Sequence, residues 1–457
     1  MLPFEITNIT LTTLALAALL SNRNHIYFLL LLLSSTIILI CQYYLEGIRW
    51  QFFPSLYLLP ILFITYKKFK NRIPRVVIGL LFFWLFIALI LPLSVPVFSL
   101  PEPSGDFTVG TETFHWVDSS RLEWFTEEDK EDNRQIMVQA WYPTIKNKTL
   151  EPSPYLDFIN LRATSMASAG KIPEFLPSHL SMIKTNSIRN VPCVGKNSKY
   201  PVLIFSHGIT GSRHLHQVLF EHLASNGYIV FAPDHSYDSN LSIFPSGFIA
   251  NYKSEITGHP DSINIRKKQI NTRTLDIVFI LNQIEKINNG LIESHLINHL
   301  DLTSIAVGGH SYGGGTATFA SHIDKRIKAC IALDGWINPV PDSVLSSGLK
   351  IPFLFMGRMN WNESDYPNNY EKLDTLIKQS SNVKHRLFIK QTLHLDFTDI
   401  PLFSPFISYV MDVGPLSPKR TLPLINNIVH GFLEKHLLNK LSSSFRQSLN
   451  DELVITY

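Results

Sequence analysis

Residues 303–323 constrain the fold of this chain more than any other stretch. The apolar run 305–307 is typical of a buried strand, and it leads directly into Gly309-His310-Ser311-Tyr312-Gly313. The residues that follow, 316–323, are predicted to form a helix. A G-x-S-x-G sequence between a strand and a helix predicts a nucleophile elbow, the sharp turn that raises a reactive serine above a sheet.

The glycines of this turn have a steric reason. Gly309 and Gly313 lack the Cβ atoms that would collide where the strand and the helix approach each other. A helix N-terminus behind Ser311 offers backbone N–H groups and the positive end of the helix dipole to a developing negative charge. The context therefore predicts Ser311 as a catalytic nucleophile.

Strands and helices are predicted to alternate beyond about residue 101. Strands are predicted at 200–205, 228–232, 303–308, 327–333, 351–356 and 385–389, after antiparallel edge strands at 107–109, 113–117 and 134–142. Helices are predicted at 213–226, 263–289, 316–323 and 421–438, whereas 144–198 is interpreted as a cap-like or surface segment and 236–262 as a loop. This alternation predicts a doubly wound, mostly parallel α/β sheet.

The partners of Ser311 follow from its chemistry. A serine hydroxyl is a weak nucleophile at neutral pH, so it needs an adjacent base, and the base needs an orienting acid. In a parallel sheet both should lie just past the C-terminal ends of strands, in the order acid, then histidine. Asp334 follows the strand at 327–333, and His394 follows the strand at 385–389. These two residues are the predicted acid and base.

Other residues compete for these roles. Asp365 is the rival acid, nine residues beyond the strand at 351–356 in a loop rich in proline and asparagine. The rival histidines are His207, His235, His310 and His430. His207 and His310 flank motif turns, where packing or hydrogen bonding explains them, and His430 lies within the last helix. We therefore favour Asp334 and His394.

Two backbone N–H groups are predicted to form an oxyanion hole. One belongs to Tyr312, the residue after the nucleophile, and the other to the loop that leaves the first strong strand. That loop is His207-Gly208-Ile209, and Ile209 is the candidate donor. Gly208 gives the backbone room to turn this amide inward.

The first hundred residues differ in composition from the remainder. Four apolar runs, at 4–20, 26–45, 51–66 and 76–98, are interpreted as transmembrane helices. This region holds seven of the 40 basic side chains but only two of the 37 acidic ones. The net charge of +3 therefore flanks membrane segments and does not indicate nucleic-acid binding. We predict a transmembrane region at 1–100 and a catalytic domain at 101–457.

Basic residues predict the orientation of these spans. They crowd the connection before the last span: Lys67, Lys68, Lys70, Arg72 and Arg75. That connection is predicted to be cytoplasmic, together with Arg23, so the catalytic domain is predicted to be extracytoplasmic. If the region had three spans instead of four, only the N-terminus would change sides of the membrane, and the predicted location of the catalytic domain would stay the same. Glu46 and Arg49 are interpreted, with Trp50, as anchors at the membrane interface.

Neither a metal nor a cofactor is expected. The three cysteines, Cys41, Cys193 and Cys330, form no C-x-x-C and no metal-ligand spacing. Cys330 is interpreted as a core residue, and a disulfide between Cys193 and Cys330 is left open. His214 and His216 lie two apart on a predicted helix, so they point in different directions and make a poor metal pair.

Several motifs together carry a family resemblance. They are Phe205-Ser206-His207-Gly208, Gly309-His310-Ser311-Tyr312-Gly313-Gly314, Ala332-Leu333-Asp334-Gly335-Trp336 and His394 followed by Asp396-Phe397-Thr398-Asp399. Over about 105–440, including the strand at 134–143, the chain resembles the plasma-type platelet-activating factor acetylhydrolases, which are dienelactone-hydrolase-like α/β-hydrolases. The resemblance implies that fold and a triad of Ser311, Asp334 and His394. It also implies a calcium-independent esterase for glycerophospholipids with short or oxidised sn-2 acyl groups.

Two features depart from the secreted members of that family. The N-terminal spans look more like those of membrane-attached bacterial relatives. The elbow is also similar to that of cutinase-like polyester hydrolases, which place the acid one strand later and would favour Asp365.

Three functions compete at this point. The first is a membrane-anchored serine carboxylester hydrolase of phospholipase A2 type, in which His394 deprotonates Ser311 and an acyl-enzyme forms. The second is an acyltransferase that uses the same residues and a membrane or cell-surface acceptor. The third is a non-catalytic binding module. A lipid or small ester substrate and the bilayer are the expected partners, while acyl length, alcohol moiety and oligomeric state are left open.

Overall fold

The computed structural model describes residues 1–457 except 22–24, 70–71, 127, 146–148, 196–197, 255–258 and 362–367, and it leaves the side chains of 169, 170 and 263 undescribed. Arg23 and Lys70, used for the orientation, and Asp365, the rival acid, lie outside the described residues. The chain divides into a first compact unit of Met1–Ser99, Leu156–Ile183 and Leu402–Ile407, and a second of Leu100–Tyr155, Lys184–Pro401 and Ser408–Tyr457. The domain boundary near residue 100 stays a prediction.

The helices and strands have the following bounds. Helices of the first unit are α1 (Pro3–Leu20), α2 (His25–Leu45), α3 (Phe53–Lys68), α4 (Arg75–Ser94) and α5 (Ile159–Gly170). Helices of the second unit are α6 (Gln217–Ser225), α7 (Ser262–Asn288), α8 (Tyr312–Ile323), α9 (Asp342–Ser347), α10 (Asn369–Gln379), α11 (Pro418–His436) and α12 (Ser443–Leu449). The strands are β1 (Thr108–Leu122), β2 (Asn133–Thr144), β3 (Ser187–Arg189), β4 (Tyr200–Ser206), β5 (Ile229–Asp234), β6 (Leu241–Ile243), β7 (Ile249–Asn251), β8 (Leu300–His310), β9 (Ile327–Leu333), β10 (Phe353–Gly357), β11 (Lys384–Ile389) and β12 (Val454–Thr456).

One large sheet organises the second unit. In the described part of the chain it has ten strands, in the order β12-β11-β10-β9-β8-β4-β5-β2-β1-β3. The run from β11 to β5 is parallel, whereas β2 pairs antiparallel with β5 and with β1, and β12 with β11. The predicted antiparallel strands at the start of the domain and the parallel core are both confirmed.

Both faces of this sheet are buried. Along β4, Val202 and Ile204 belong to one core cluster, and Leu203 and Phe205 belong to the other. Residues of α7, α8 and α10 complete the first cluster, and residues of α6 and α11 complete the second. Helices on both faces of a mostly parallel sheet define a doubly wound α/β fold, as predicted.

Some helix bounds differ from the predictions. Helix α8 begins at Tyr312, not at 316, because the three glycines after Tyr312 continue the helix directly behind the turn. Helix α6 begins at Gln217, not at 213, because the Asp399 carboxylate accepts hydrogen bonds from the N–H groups of Gln217 (2.8 Å) and Val218 (3.3 Å). A cap from a residue so distant in sequence leaves no local signal.

Two segments whose sequences show no clear helix or strand periodicity contain short helices and strands. The stretch 236–262, interpreted as a loop, includes the hairpin of β6 and β7. The stretch 144–198 includes α5, β3 and a 3₁₀ helix at Leu176–Met182. Its part Leu156–Ile183 belongs to the first compact unit, which a cap-like interpretation did not anticipate.

Helices α1 to α4 correspond to the four predicted spans. Among the described residues, α1, α2 and α4 are long and apolar enough to cross a membrane. Helix α3 has 16 residues and follows a 3₁₀ turn at Trp50–Phe52, so the third predicted span is the shortest. The last span ends at Ser94, not at 98, because Val95 precedes a proline, and a residue in that position is disfavoured in α-helical conformation.

Asn8 and Thr12 of α1 face the inside of the first unit. The Asn8 amide donates to the carbonyl oxygen of Ser35 (2.9 Å), and the hydroxyls of Thr12 and Ser35 lie 3.0 Å apart. All three residues are buried. Interhelical hydrogen bonds of this kind hold apolar helices together where the hydrophobic effect between them is weak.

Arg49 is a buried residue, so its interpretation as an interface anchor is wrong. It is 3% exposed, and its Nε and Nη2 atoms lie 2.7 Å and 2.8 Å from the two carboxylate oxygens of Glu5. The same guanidinium donates to the carbonyl oxygens of Pro92 (3.2 Å) and Val95. One side chain thus joins the start of α1 to the end of α4.

Replacing Arg49 with alanine should destabilise the first unit by about 3–5 kcal/mol, because the Glu5 carboxylate would remain buried without its partner. Thermal unfolding of the full chain in detergent would measure the loss. Arg72→Ala, at an exposed position, is the matched control. The double variant Glu5→Leu/Arg49→Met should recover most of the stability. Equal melting temperatures for Arg49→Ala and Arg72→Ala would contradict the structural role of the pair.

Candidate active site

Ser311 occupies a strained turn between β8 and α8. Its φ of 55° and ψ of −122° are unfavourable for any residue with a Cβ. The Ser311 N–H donates to the carbonyl oxygen of Leu333 (3.0 Å), and its own carbonyl oxygen accepts from the N–H groups of Gly314 (2.9 Å) and Trp336 (2.8 Å). Main-chain hydrogen bonds on both sides therefore hold the turn in this conformation.

Two glycines make this turn possible. A Cβ on Gly309 would overlap the carbonyl group of Gly313. A Cβ on Gly313 would overlap the carbonyl oxygen of Ser206 and lie 2.8 Å from that of His207. A Cβ on Gly208 would lie 3.2 Å from the Ser311 Cβ, so the loop after β4 packs against the turn.

Asp334 lies immediately after β9 and is completely buried. It too has a positive φ, of 40°. One carboxylate oxygen, Oδ1, accepts from the N–H of Arg358 (3.0 Å) and from Nε1 of Trp361 (3.3 Å). The other, Oδ2, lies 2.6 Å from Nδ1 of His394 and 3.2 Å from Nε of Arg358. The acid is thus oriented by several donors at once.

His394 begins a 3₁₀ turn after β11, and its side chain is 21% exposed. Because Nδ1 is hydrogen-bonded to Asp334, Nε2 is the ring nitrogen that can take up a proton. The His394 ring lies 4.5 Å from the ring of His310 and 5.5 Å, edge to face, from that of Trp361. His310 also contacts the His394 carbonyl oxygen through Nε2 (3.0 Å). The structure therefore brings Asp334 and His394 together beside the residue that precedes Ser311.

The two predicted oxyanion donors lie on either side of this turn. Tyr312 is the first residue of α8 and directly follows Ser311. Ile209 follows Gly208 in the loop that packs against Ser311. Their function as an oxyanion hole stays a prediction.

The rival histidines occupy other environments. His235 is completely buried, and its burial lowers its pKa to about 3, which makes it unsuitable as a base. Burial, together with the nearby Arg273, holds the pKa of His207 well below its usual value. His430 lies on α11 beside Glu434, at 3.9 Å. Cys193 and Cys330 are free, so the disulfide left open from the sequence is not formed.

Ser206, His235 and Asp276 form a hydrogen-bonded chain near the site, and sequence reasoning missed it. The Ser206 hydroxyl lies 2.8 Å from Nε2 of His235, whose Nδ1 lies 2.9 Å from Oδ2 of Asp276. Asp276 also pairs with Arg134 (2.6 Å). All four side chains are buried. The residues come from different strands and from α7, so no spacing in the sequence signals the network.

Comparisons with known proteins agree with this architecture. A ferulic acid esterase from Streptomyces cinnamoneus has a similar structure, with a TM-score of 0.62 and 25% sequence identity, covering 79% of this chain and 99% of that one. The fold and this likeness define a carboxylic ester hydrolase with an α/β-hydrolase fold.

The family follows from a match over most of the chain. The model of the family described as platelet-activating factor acetylhydrolase, isoform II, matches residues 94–453, and the chain belongs to this family. A platelet-activating factor acetylhydrolase of Gallus gallus is 28% identical over 299 residues, which cover 58% of this chain and 70% of that protein. A probable 1-alkyl-2-acetylglycerophosphocholine esterase of Arthroderma benhamiae is 25% identical over 377 residues, covering 76% and 90%.

Replacing Gly313 with alanine should lower the melting temperature and distort the site, because the new Cβ would displace the Ser206 carbonyl. We expect a loss of about 1–3 kcal/mol, the usual cost of overpacking a tight core. Gly79→Ala in α4 is the matched control, since no atom lies within 4 Å of its added Cβ. A Gly313→Ala variant as stable as Gly79→Ala would contradict the close approach described above.

Proposed function

We propose that this chain is a membrane-anchored serine esterase that cleaves short or oxidised acyl esters of glycerophospholipids through an acyl-enzyme. The observation that carries the proposal is the 2.6 Å hydrogen bond between Asp334 and His394, beside the strained turn of Ser311. The family match over 94–453 supports the reaction class. The names of the relatives support the lipid substrate.

The chemistry uses each residue in one role. Nε2 of His394 removes the proton from the Ser311 hydroxyl while Oγ bonds to the ester carbonyl carbon, and Asp334 stabilises the imidazolium that results. The N–H groups of Ile209 and Tyr312 stabilise the oxyanion. When the intermediate collapses, the ester C–O bond breaks and the leaving alcohol takes the proton from His394. Water then attacks the acyl-enzyme in the same way, releasing the fatty acid and restoring Ser311.

Exposed apolar residues beside His394 support an amphiphilic substrate. Tyr409 and Val410 are 84% and 78% exposed, and they lie just before Asp412. The carbonyl oxygen of Asp412 accepts from the N–H of Leu395 (2.9 Å), which holds this segment against the loop of His394. Leu393 is exposed in the same loop. Exposed apolar groups at a site favour ligands with acyl chains over polar esters.

The first unit supports attachment to a membrane. Helices α1, α2 and α4 meet the length and composition of spans, and basic side chains flank α4 at its start. The positive-inside rule supports a cytoplasmic location for these residues, and with it our proposal that the catalytic unit is extracytoplasmic. Acyl transfer to a membrane acceptor and a non-catalytic role gain no support, because the matched family and relatives are named as hydrolases.

Replacing Ser311 with alanine should abolish ester hydrolysis, by about 10⁶-fold in kcat, and should prevent labelling by a fluorophosphonate. The full chain in detergent would be tested on phosphatidylcholine with an sn-2 acetyl, oxidised or palmitoyl group. We expect turnover of the first two and little of the third. Ser321→Ala on α8 is the control. Persistent labelling of Ser311→Ala would refute the nucleophile, and equal turnover of all three lipids would refute the substrate class.

Replacing Asp334 with asparagine should lower kcat by about 10⁴-fold with little change in KM, because His394 would lose the acceptor that fixes its tautomer. Asp412→Asn is a matched control, since Asp412 shares Arg358 as a partner at 3.0 Å but is 46% exposed. An active Asp334→Asn variant together with an inactive Asp365→Asn variant would show that the acid lies one strand later.

A further inference from the structure

We infer that Arg273 is a positioning residue for catalysis, because it fixes the loop that carries the oxyanion donor Ile209. The inference rests on the proposed function, since it concerns the oxyanion hole of that reaction. Arg273 lies on α7, beneath the site, and is completely buried. It contacts no reacting atom, so its effect must pass through the loop.

One nitrogen of Arg273 makes both contacts to the loop. Nη2 donates to the Ser206 hydroxyl (3.1 Å) and to the carbonyl oxygen of His207. That carbonyl lies two residues before Ile209 in the chain. The guanidinium carbon also lies 4.9 Å from the ring centre of Tyr312, which carries the second proposed donor. Arg266 also faces the Tyr312 ring. The contacts with Ser206 and His207 are therefore what distinguish Arg273.

The hydrogen-bond directions in this cluster are set by chemistry. The Asp276 carboxylate can only accept, so His235 donates to it through Nδ1, and Nε2 of His235 accepts from the Ser206 hydroxyl. The Ser206 oxygen is then free to accept from Arg273. The chain runs in one direction, from Arg273 through Ser206 and His235 to Asp276. Each member orients the next.

The imidazole of His207 is fixed by the same cluster. The backbone N–H of His235 donates to Nε2 of His207 (3.1 Å), so the His207 proton is on Nδ1, which contacts the Gly208 carbonyl oxygen (2.6 Å). The loop is also tied at its far end, where the N–H of Thr210 donates to the carbonyl oxygen of Asp238 (3.1 Å). Arg273 supplies a cationic contact to this loop through the carbonyl oxygen of His207.

Small displacements of this loop have large kinetic consequences. Oxyanion donors act only when they lie at about 2.7–3.1 Å from the developing charge. A displacement of about 1 Å can cost about 10²-fold in rate. The loss should appear in kcat and in the binding of oxyanion analogues, whereas KM should change little because the substrate carbonyl in the ground state needs these donors less.

The test compares Arg273→Met with Arg266→Met in the full chain. Arg266 lies on the same helix and faces the Tyr312 ring at 5.8 Å, but it makes no contact with residues 207–209 in the described structure. We expect Arg273→Met to lose about 10²-fold in kcat, with KM within about twofold, and Arg266→Met to stay near the wild type. The inhibition constant of an alkyl trifluoromethyl ketone, whose hemiketal mimics the oxyanion, should rise in parallel with the loss in kcat/KM.

The outcomes separate this inference from the proposed function. If Ser311→Ala keeps its activity, the proposed function fails; if Ser311→Ala is inactive while Arg273→Met keeps the wild-type kcat and ketone affinity, only the role of Arg273 fails. Equal losses in the two arginine variants would also overturn it. If Arg273→Met does not fold, Arg273→Lys decides, since it keeps the charge but shortens the reach. We expect it to lose about tenfold in kcat, and an unchanged kcat would refute the inference.

Discussion

The strained backbone at Ser311 is the constraint on which the rest of the site depends. A positive φ at a residue with a Cβ costs about 1–3 kcal/mol and persists only when the surroundings enforce it. Here the surroundings are the main-chain hydrogen bonds of Ser311 to Leu333 and Trp336. Asp334 lies between those two residues and has a positive φ itself. Main-chain hydrogen bonds therefore fix the turn of the proposed nucleophile relative to the turn of the proposed acid. This explains why an acid at the end of the adjacent strand fits this elbow.

The Ser206–His235–Asp276 chain and the Asp334–His394 pair differ in the access of their histidines to solvent. Asp276 is paired with Arg134, and this permanent cation holds the pKa of Asp276 well below its usual value. His235 is buried and stays neutral. It can orient its neighbours through hydrogen bonds, but it cannot accept a proton. The His394 side chain is 21% exposed, and its aspartate Asp334 likewise faces an arginine, with Nε of Arg358 at 3.2 Å. A fully buried imidazole thus forms part of a support in one place, whereas a partly exposed one is the proposed base in the other.

The fold and part of the site could be predicted because they follow from local patterns and from sheet topology. The apolar runs predicted where the parallel strands lie along the chain, and the rule that functional groups follow strand ends predicted the contact of Asp334 with His394. The catalytic roles of these residues stay predictions. The cap of α6 by Asp399, the Arg49–Glu5 pair and the role of Arg273 depend on contacts between residues far apart in sequence. Neither the amino-acid composition nor the spacing of residues along the chain predicts such contacts.

The first unit is built as a packed bundle, which a simple anchor would not require. One apolar helix suffices for attachment, yet α1 directs Asn8 and Thr12 inward, where they meet Ser35, and it buries Glu5 against Arg49. Helix α3 rises about 24 Å over its 16 residues, and the 3₁₀ turn before it adds about 6 Å. The two together reach the thickness of a hydrocarbon core, about 30 Å. The length of the third run is therefore compatible with the predicted third span, whose crossing of a membrane stays a prediction.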